Sequence, residues 1–348
     1  MSAKIPLFVE LCAGLASVSL MLQGGKYARP PVSRMGNKHG YGLALHRIMG
    51  LRPGQGAERF LWCEPDPGCR ALLHAYTDRE VMQEAARIIR GWASEEPRSL
   101  WERLRAEGPI KTRDPREVAR WAQVVASNRL INISGETLRN TGAGGSTFAS
   151  VESGFGTPAD VTAQRFVDRS QTMPATVTGD ARAVEPREVA RWVRLAADSY
   201  RRGFPPPGFV HPDDRFKRDV SKAVEAGAVG PLLATVTPDA RPIEPADLPP
   251  GTVVYMDPPY VNTTGYGNDL PRSEVVALAR RWAEAGARVY ISEAEPIGAL
   301  MADGWHEVEI TSQRIGQKRT FSKQQREWVT CSHPPAWKPA EQADLFGC

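Results

Sequence analysis

The tetrapeptide Asp257-Pro258-Pro259-Tyr260 follows directly on the apolar run Thr252–Met256. Two consecutive prolines remove backbone donors and fix φ, so the turn is stiff and extended and its carbonyls have no local partner. An acid before it and an aromatic ring after it therefore project from a rigid platform. Such a platform suits a flat heterocycle that carries an amino group. Tyr260 stacks on the ring face, while Asp257 and a proline carbonyl accept from the NH2 group. Asp-Pro by itself is a common turn starter; the strand in front of it gives the motif its meaning.

Other candidates lie at the ends of predicted strands. The run Glu10-Leu-Cys12-Ala13-Gly14-Leu-Ala16-Ser17 leaves the apolar strand 5–12 through Gly14, where a ligand can approach the backbone closely. Cys12 reads as a small buried residue rather than a nucleophile. Glu64 ends a second strand, Arg59–Glu64, where an acid can accept both hydroxyls of a ribose, with Asp66 as the alternative if the strand runs longer. No Asp or Glu occurs from Leu11 to Ala57, whereas Lys26, Arg29, Arg34, Lys38, Arg47 and Arg52 do. That imbalance suits carboxylate or phosphate contacts, and equally a solvated basic face. A second basic group, Arg314, Lys318, Arg319, Lys323 and Arg326, reads either as a contact to a nucleic-acid backbone or as an ordinary charged loop. Cys63 and Cys69 lack a second ligand pair and the six histidines show no metal-like spacing, so no metal is expected.

The elements that must position these groups follow from the apolar pattern. Strand 5–12, a helix from Ala16 to Gln23 ended by Gly24-Gly25, the strand at 59–64 and a helix over Gly68–Tyr76 open a doubly wound α/β sheet, whose ligands bind at the carboxyl ends of its strands. The pattern returns with strand Thr252–Met256, a helix from about Pro271 to Ala285 and strand Ala287–Ser292. Segments Trp305–Thr311 and Arg326–Ser332 are then expected to pair as an antiparallel hairpin. Residues 1–76 and 231–335 thus form two parts of one domain. The segment 77–230 is a largely helical insertion, and 336–348 is a tail. Pro-Arg-Glu-Val-Ala-Arg-Trp occurs at 115–121 and again at 186–192, and Ala-Thr-Val-Thr-x-Asp-Ala-Arg at 175–182 and 234–241. No single period fits both echoes, so a solenoid is not supported.

Composition sets the outer limits. The chain has 348 residues, 41% of them hydrophobic and 24% charged, which excludes general disorder and collagen-like or coiled-coil repeats. The net charge of +4 is compatible with a polyanion without requiring one. Five cysteines, an odd number, favour free thiols in a reducing compartment. Glu10 interrupts the N-terminal apolar run and opposes its insertion into a membrane. The expected protein is cytoplasmic; the sequence leaves its oligomeric state open, with a monomer favoured.

Asp257–Tyr260, together with the glycine-bearing first turn, resembles the S-adenosylmethionine-dependent amino methyltransferases, and among them the Dam-like DNA adenine methyltransferases. The resemblance covers about 5–75 and 234–332. It implies a Rossmann-like methyltransferase sheet, S-adenosyl-L-methionine as cofactor and methyl transfer to the N6 amine of adenine in double-stranded DNA by base flipping. Asp257, Pro258, Pro259 and Tyr260 would then be catalytic. Glu10, Cys12, Ala13 and Gly14 would form the cofactor turn, in which Ala16 stands where the family usually has a second glycine. Glu64 and Pro65 would hold the ribose, and Asp239 with Ala240 the adenine, Asp180 in the other echo being the alternative. Lys38, in Arg34-Met-Gly-Asn-Lys38, resembles the family's Gly-Gly-Lys lysine at the methionyl end, although here it follows the first glycine turn instead of preceding it. Arg34, Arg314, Lys318, Arg319 and Lys323 would contact DNA. The alternatives are methylation of the cytosine amine or of RNA, and a catalytically silent nucleic-acid binder with a degenerate methyltransferase fold.

Overall fold

A computed structural model describes residues 3–32, 37–128, 134–136, 138, 148–149, 156–168, 173, 175–179, 189, 248–260, 270–310 and 327–337. Seven strands form one sheet: β1 (Phe8–Leu11), β2 (Phe60–Cys63), β3 (Ala175–Thr178), β4 (Val253–Met256), β5 (Arg288–Glu293), β6 (His306–Ile310) and β7 (Glu327–Cys331). Their order is β3-β2-β1-β4-β5-β7-β6. β1 to β5 pair in parallel, and β7 runs antiparallel to both β5 and β6. The expected strand pair at the C-terminal end of the sheet is therefore present, with β7 inserted between β5 and β6.

Parallel strands bury both faces and so read as continuous apolar runs. Phe8, Phe60, Trp62, Val253 and Tyr255 face one layer of the core. Leu7, Val9, Leu11, Leu61, Val254 and Met256 face the other. On the first face pack α1 (Ser17–Gly24), α2 (Gly42–Ile48) and α3 (Pro67–Tyr76), followed by α4 (Arg79–Gly91), α5 (Pro97–Ala106), α6 (Pro115–Ala126) and α7 (Ala159–Asp168). The second face takes α8 (Arg272–Glu284) and α9 (Gly298–Ala302) through Val275, Leu278, Trp282 and Leu300. Among the described residues no helix is long and apolar enough to cross a membrane.

The segment 77–230 needs one correction. β3 lies within it and pairs in parallel with β2, so that part of the segment belongs to the sheet and not to an insertion. Helices α4 to α7, by contrast, extend the core beyond α3. Trp121 of α6, fully buried, lies so close to Gly68 that a Cβ there would stand 2.1 Å from its indole nitrogen. Asp66 caps α3, accepting from Gly68 N and Cys69 N at 2.9 Å each, and its other oxygen accepts from Gly135 N at 2.8 Å. The helical layer is thereby fastened to the first turn of α3, the helix that follows Glu64.

Candidate functional site

Register decides which loops meet. Leu11 is aligned with Cys63 on one side and Met256 on the other, Cys63 with Thr178, and Met256 with Ile291. The loops after these strands therefore leave the sheet at one edge. The chain runs outward from β1 to β3 on one flank and from β4 to β5 on the other, so the crevice between β1 and β4 is the switch point at which such sheets bind ligands.

The loop after β1 is built for close approach. Cys12, Gly14 and Ala16 all take positive φ, at 58°, 54° and 50°. Left-handed backbone at a non-glycine residue costs about 1–2 kcal/mol and concentrates at functional loops. Ala16 thus adopts the conformation that the resemblance assigns to a glycine. A Cβ built on Gly14 would meet nothing within 4 Å, so the backbone there borders open space. Ala13 N donates to Cys63 O at 2.9 Å, and Gly14 N to Glu64 Oε2 at 2.6 Å. Glu64 also accepts from Asp66 N at 2.8 Å, so its carboxylate ties the β1 and β2 loops together beside that space. Arg70 Nη1 donates to the carbonyls of Glu64 and Pro65 at 3.1 and 2.9 Å and steadies the same turn. Asp66, with both oxygens committed to α3 and Gly135, is a cap.

Glu10 does not join this loop. It is 2% exposed and accepts from Ser19 N at 3.2 Å and from the Ser19 hydroxyl, which itself accepts from Trp62 Nε1 at 2.9 Å. Burial raises its carboxyl to about 8, with Asp257 adding to the rise and the Ser19 hydrogen bonds opposing it.

On the β4 side, Asp257 N donates to Leu11 O at 3.1 Å, which sets the Asp-Pro-Pro-Tyr turn against the β1 loop. Asp257 Oδ1 lies 2.8 Å from Lys38 Nζ, and about a fifth of the Asp257 side chain remains accessible. Burial raises its carboxyl to about 6; Lys38 opposes this and Glu327 adds to it. The Lys38 ammonium also lies over the Tyr260 ring, 4.5 Å from its centroid, and the Tyr260 hydroxyl donates to Glu327 Oε1. Glu327 Oε1 is 3.7 Å from Lys38 Nζ. Glu293, at the end of β5, pairs with Arg272 at 3.1 Å, and burial raises it to about 7.

Lys38 reaches this place because it heads a short 3-10 helix, Lys38–Tyr41, capped by Asn37 and linked through Asn37 to the Ser17 hydroxyl of α1. The structure thus brings together Cys12, Ala13, Gly14, Lys38, Glu64, Pro65 and Asp257–Tyr260. Sequence reasoning missed Glu327 and Glu293. Glu327 begins β7, and the antiparallel direction of that strand returns it to this edge, beside the end of β5. Asp239, Ala240, Asp180, Arg34, Arg314, Lys318, Arg319 and Lys323 lie outside the described residues, as does the second copy of each echo apart from Val189. Among the described residues no cluster of His, Cys, Asp and Glu has the geometry of a metal site.

No protein-family model matches the sequence, and no curated protein matches it. Among solved structures, two of the rRNA methyltransferase AviRa from Streptomyces viridochromogenes are similar. Each is 12% identical with a TM-score of 0.29, and the alignments cover 100% and 99% of this chain and 81% of theirs. Likeness at that level bears on no residue of the site.

Proposed function

We propose that this chain is an S-adenosylmethionine-dependent methyltransferase acting on the exocyclic N6 amine of adenine in double-stranded DNA, within a Rossmann-like sheet. One observation carries the reading. Register sets the left-handed β1 loop, Glu64 and Asp257–Tyr260 side by side at the switch point. The open space at Gly14 fits a cofactor lying against bare backbone. Residues 12–14 would receive it, with Glu64 and Pro65 at the ribose. When bound, S-adenosylmethionine supplies an electrophilic methyl group on a sulfonium. For the adenine contact, β3 now favours Asp180 over Asp239. Thr178 is aligned with Cys63, so the chain leaves the edge beside Glu64 two residues before Asp180.

The residues of the chain prepare the nucleophile. The lone pair of an aromatic amine is delocalised into its ring. Asp257 accepting one N–H and the Pro258 carbonyl accepting the other favour a tetrahedral nitrogen with its lone pair free. Tyr260 supports the ring face. Orientation of two reactants in this way can contribute ~7–11 kcal/mol. A paired adenine must leave the stack to reach the site. The parts of segment 77–230 outside β3 would read the sequence, and Arg34, Arg314, Lys318, Arg319 and Lys323 would hold the backbone.

The test is methyl transfer to DNA followed by nuclease digestion and mass spectrometry of the nucleosides. N6-methyladenine is the expected product. N4-methylcytosine, or product from RNA alone, would replace the substrate. Asp257→Ala should lower the single-turnover rate at saturating cofactor by about tenfold or more, the loss of a charge-assisted hydrogen bond, with cofactor affinity retained. Asp257→Asn keeps an acceptor oxygen and should fall less. A fully active Asp257→Ala would remove the site assignment.

A further inference from the structure

Lys38 makes two of the contacts required of the target base, one to the acid that accepts its amine and one to the ring that supports its face. Its Nζ is 2.8 Å from Asp257 Oδ1 and 4.5 Å from the centroid of the Tyr260 ring. A base that stacks on the Tyr260 face under Lys38, with its amine on Asp257 Oδ1, takes the place of the ammonium, so Lys38 yields as such a base enters. It cannot simply withdraw, because its side chain is only 9% accessible and a buried cation stripped of its anion is costly. Glu327 offers a destination. Its Oε1 is 3.7 Å from Nζ, its side chain is 4% accessible, and it already accepts the Tyr260 hydroxyl. A shift of roughly 1 Å brings the ammonium into full contact with it. The move also sets a negative charge against Lys38 at the moment when positive charge grows on the attacking nitrogen, where an unneutralised cation would raise the barrier.

We propose that Glu327 is a positioning residue of this site: it fixes the Tyr260 ring through the hydroxyl and takes Lys38 from Asp257 when the target amine arrives. The inference rests on the methyltransferase reading and deepens it, assigning Lys38 as the group that holds Asp257 and the Tyr260 face until the target base takes them.

A double-mutant cycle tests it, run on whichever amine the wild type methylates. Glu327→Gln keeps the shape and an oxygen for Tyr260 but removes the charge that receives Lys38. The single-turnover rate at saturating cofactor should fall about tenfold. In a Lys38→Met background, where no ammonium has to move, the same substitution should change the rate by less than about threefold. The acid limb of the pH–rate profile is the second readout. Asp257 is faced by Lys38, by Glu327 of β7, Glu293 of β5 and Glu10 of β1, and by Tyr255 and Tyr260. Glu327 raises the Asp257 carboxyl and Lys38 lowers it, so the limb should move to lower pH in Glu327→Gln and to higher pH in Lys38→Met. Glu327→Gln at the wild-type rate overturns the proposal. So does an equal loss in both backgrounds with an unmoved limb, which is what a merely structural Glu327 would give. A wild type that transfers no methyl group overturns both readings; an active wild type without coupling overturns this one alone.

Discussion

Glu10 is the charge that the β1 strand conceals, and it has a measurable signature. In the folded chain burial holds its carboxyl at about 8, against 4.5 for an ordinary glutamate. Its folded value lies above its unfolded value, so between the two the folded state binds the extra proton. Stability must therefore fall as pH rises through that window. Two buried histidines complicate the lower half. Burial lowers His46 to about 4 and His74 to about 3 from 6.5, so each costs stability as the pH drops below 6.5. Their effect fades over the next pH unit, and from pH 6.5 to 8 Glu10 is the larger contributor, with Glu293 adding to the decline up to about 7. At ~1.36 kcal/mol per pH unit, Glu10 alone should remove about 2 kcal/mol of unfolding free energy across that interval. The assay is urea denaturation at pH 6.5, 7, 7.5 and 8 in one buffer system. Glu10→Gln should flatten the decline whatever it does to absolute stability, since glutamine does not titrate. A decline of equal slope in Glu10→Gln, or stability that rises over this range, would refute the reasoning. The consequence for the site is direct: a neutral Glu10 leaves Lys38 to be balanced by Asp257 and Glu327.

Two glycines give sharper tests of the architecture. Gly14→Ala places a methyl in the open space above a left-handed residue, so it should lower S-adenosylmethionine affinity by about tenfold, read by calorimetry, while costing only ~1 kcal/mol of stability. Gly68→Ala drives a methyl to 2.1 Å from the Trp121 indole nitrogen, so urea denaturation should show a loss of ~1–3 kcal/mol or more, and an unchanged midpoint would mean that α6 does not pack on α3 as described.

Most of the sheet is legible in the sequence because parallel strands buried on both faces leave a strong signal. β1, β2, β4 and β5 lie where their apolar runs place them, and the helices between them begin and end at readable punctuation such as Gly24-Gly25 and Asp66-Pro67. β3 is the exception. Ala175–Thr178 offers only short alternating side chains, and its partner β2 lies more than a hundred residues earlier, so nothing local marks it as part of the sheet. With β3 unmarked, the spacing before Asp257 is the remaining local guide to the adenine contact, and it points to Asp239.

The site divides in the same way. Gly14, Glu64 and Asp257–Tyr260 each sit immediately after a parallel strand, and a residue in that position reaches the carboxyl edge whatever the rest of the fold does. Lys38 and Glu327 follow no such rule. Lys38 arrives through the Asn37 cap and its link to Ser17, and Glu327 because β7 reverses direction, so that the start of a strand meets the ends of its neighbours. A motif search finds residues placed by their own strand; it misses those placed by another strand's direction. In this site Asp257 belongs to the first kind, and Lys38 and Glu327, the groups packed around its carboxylate, belong to the second.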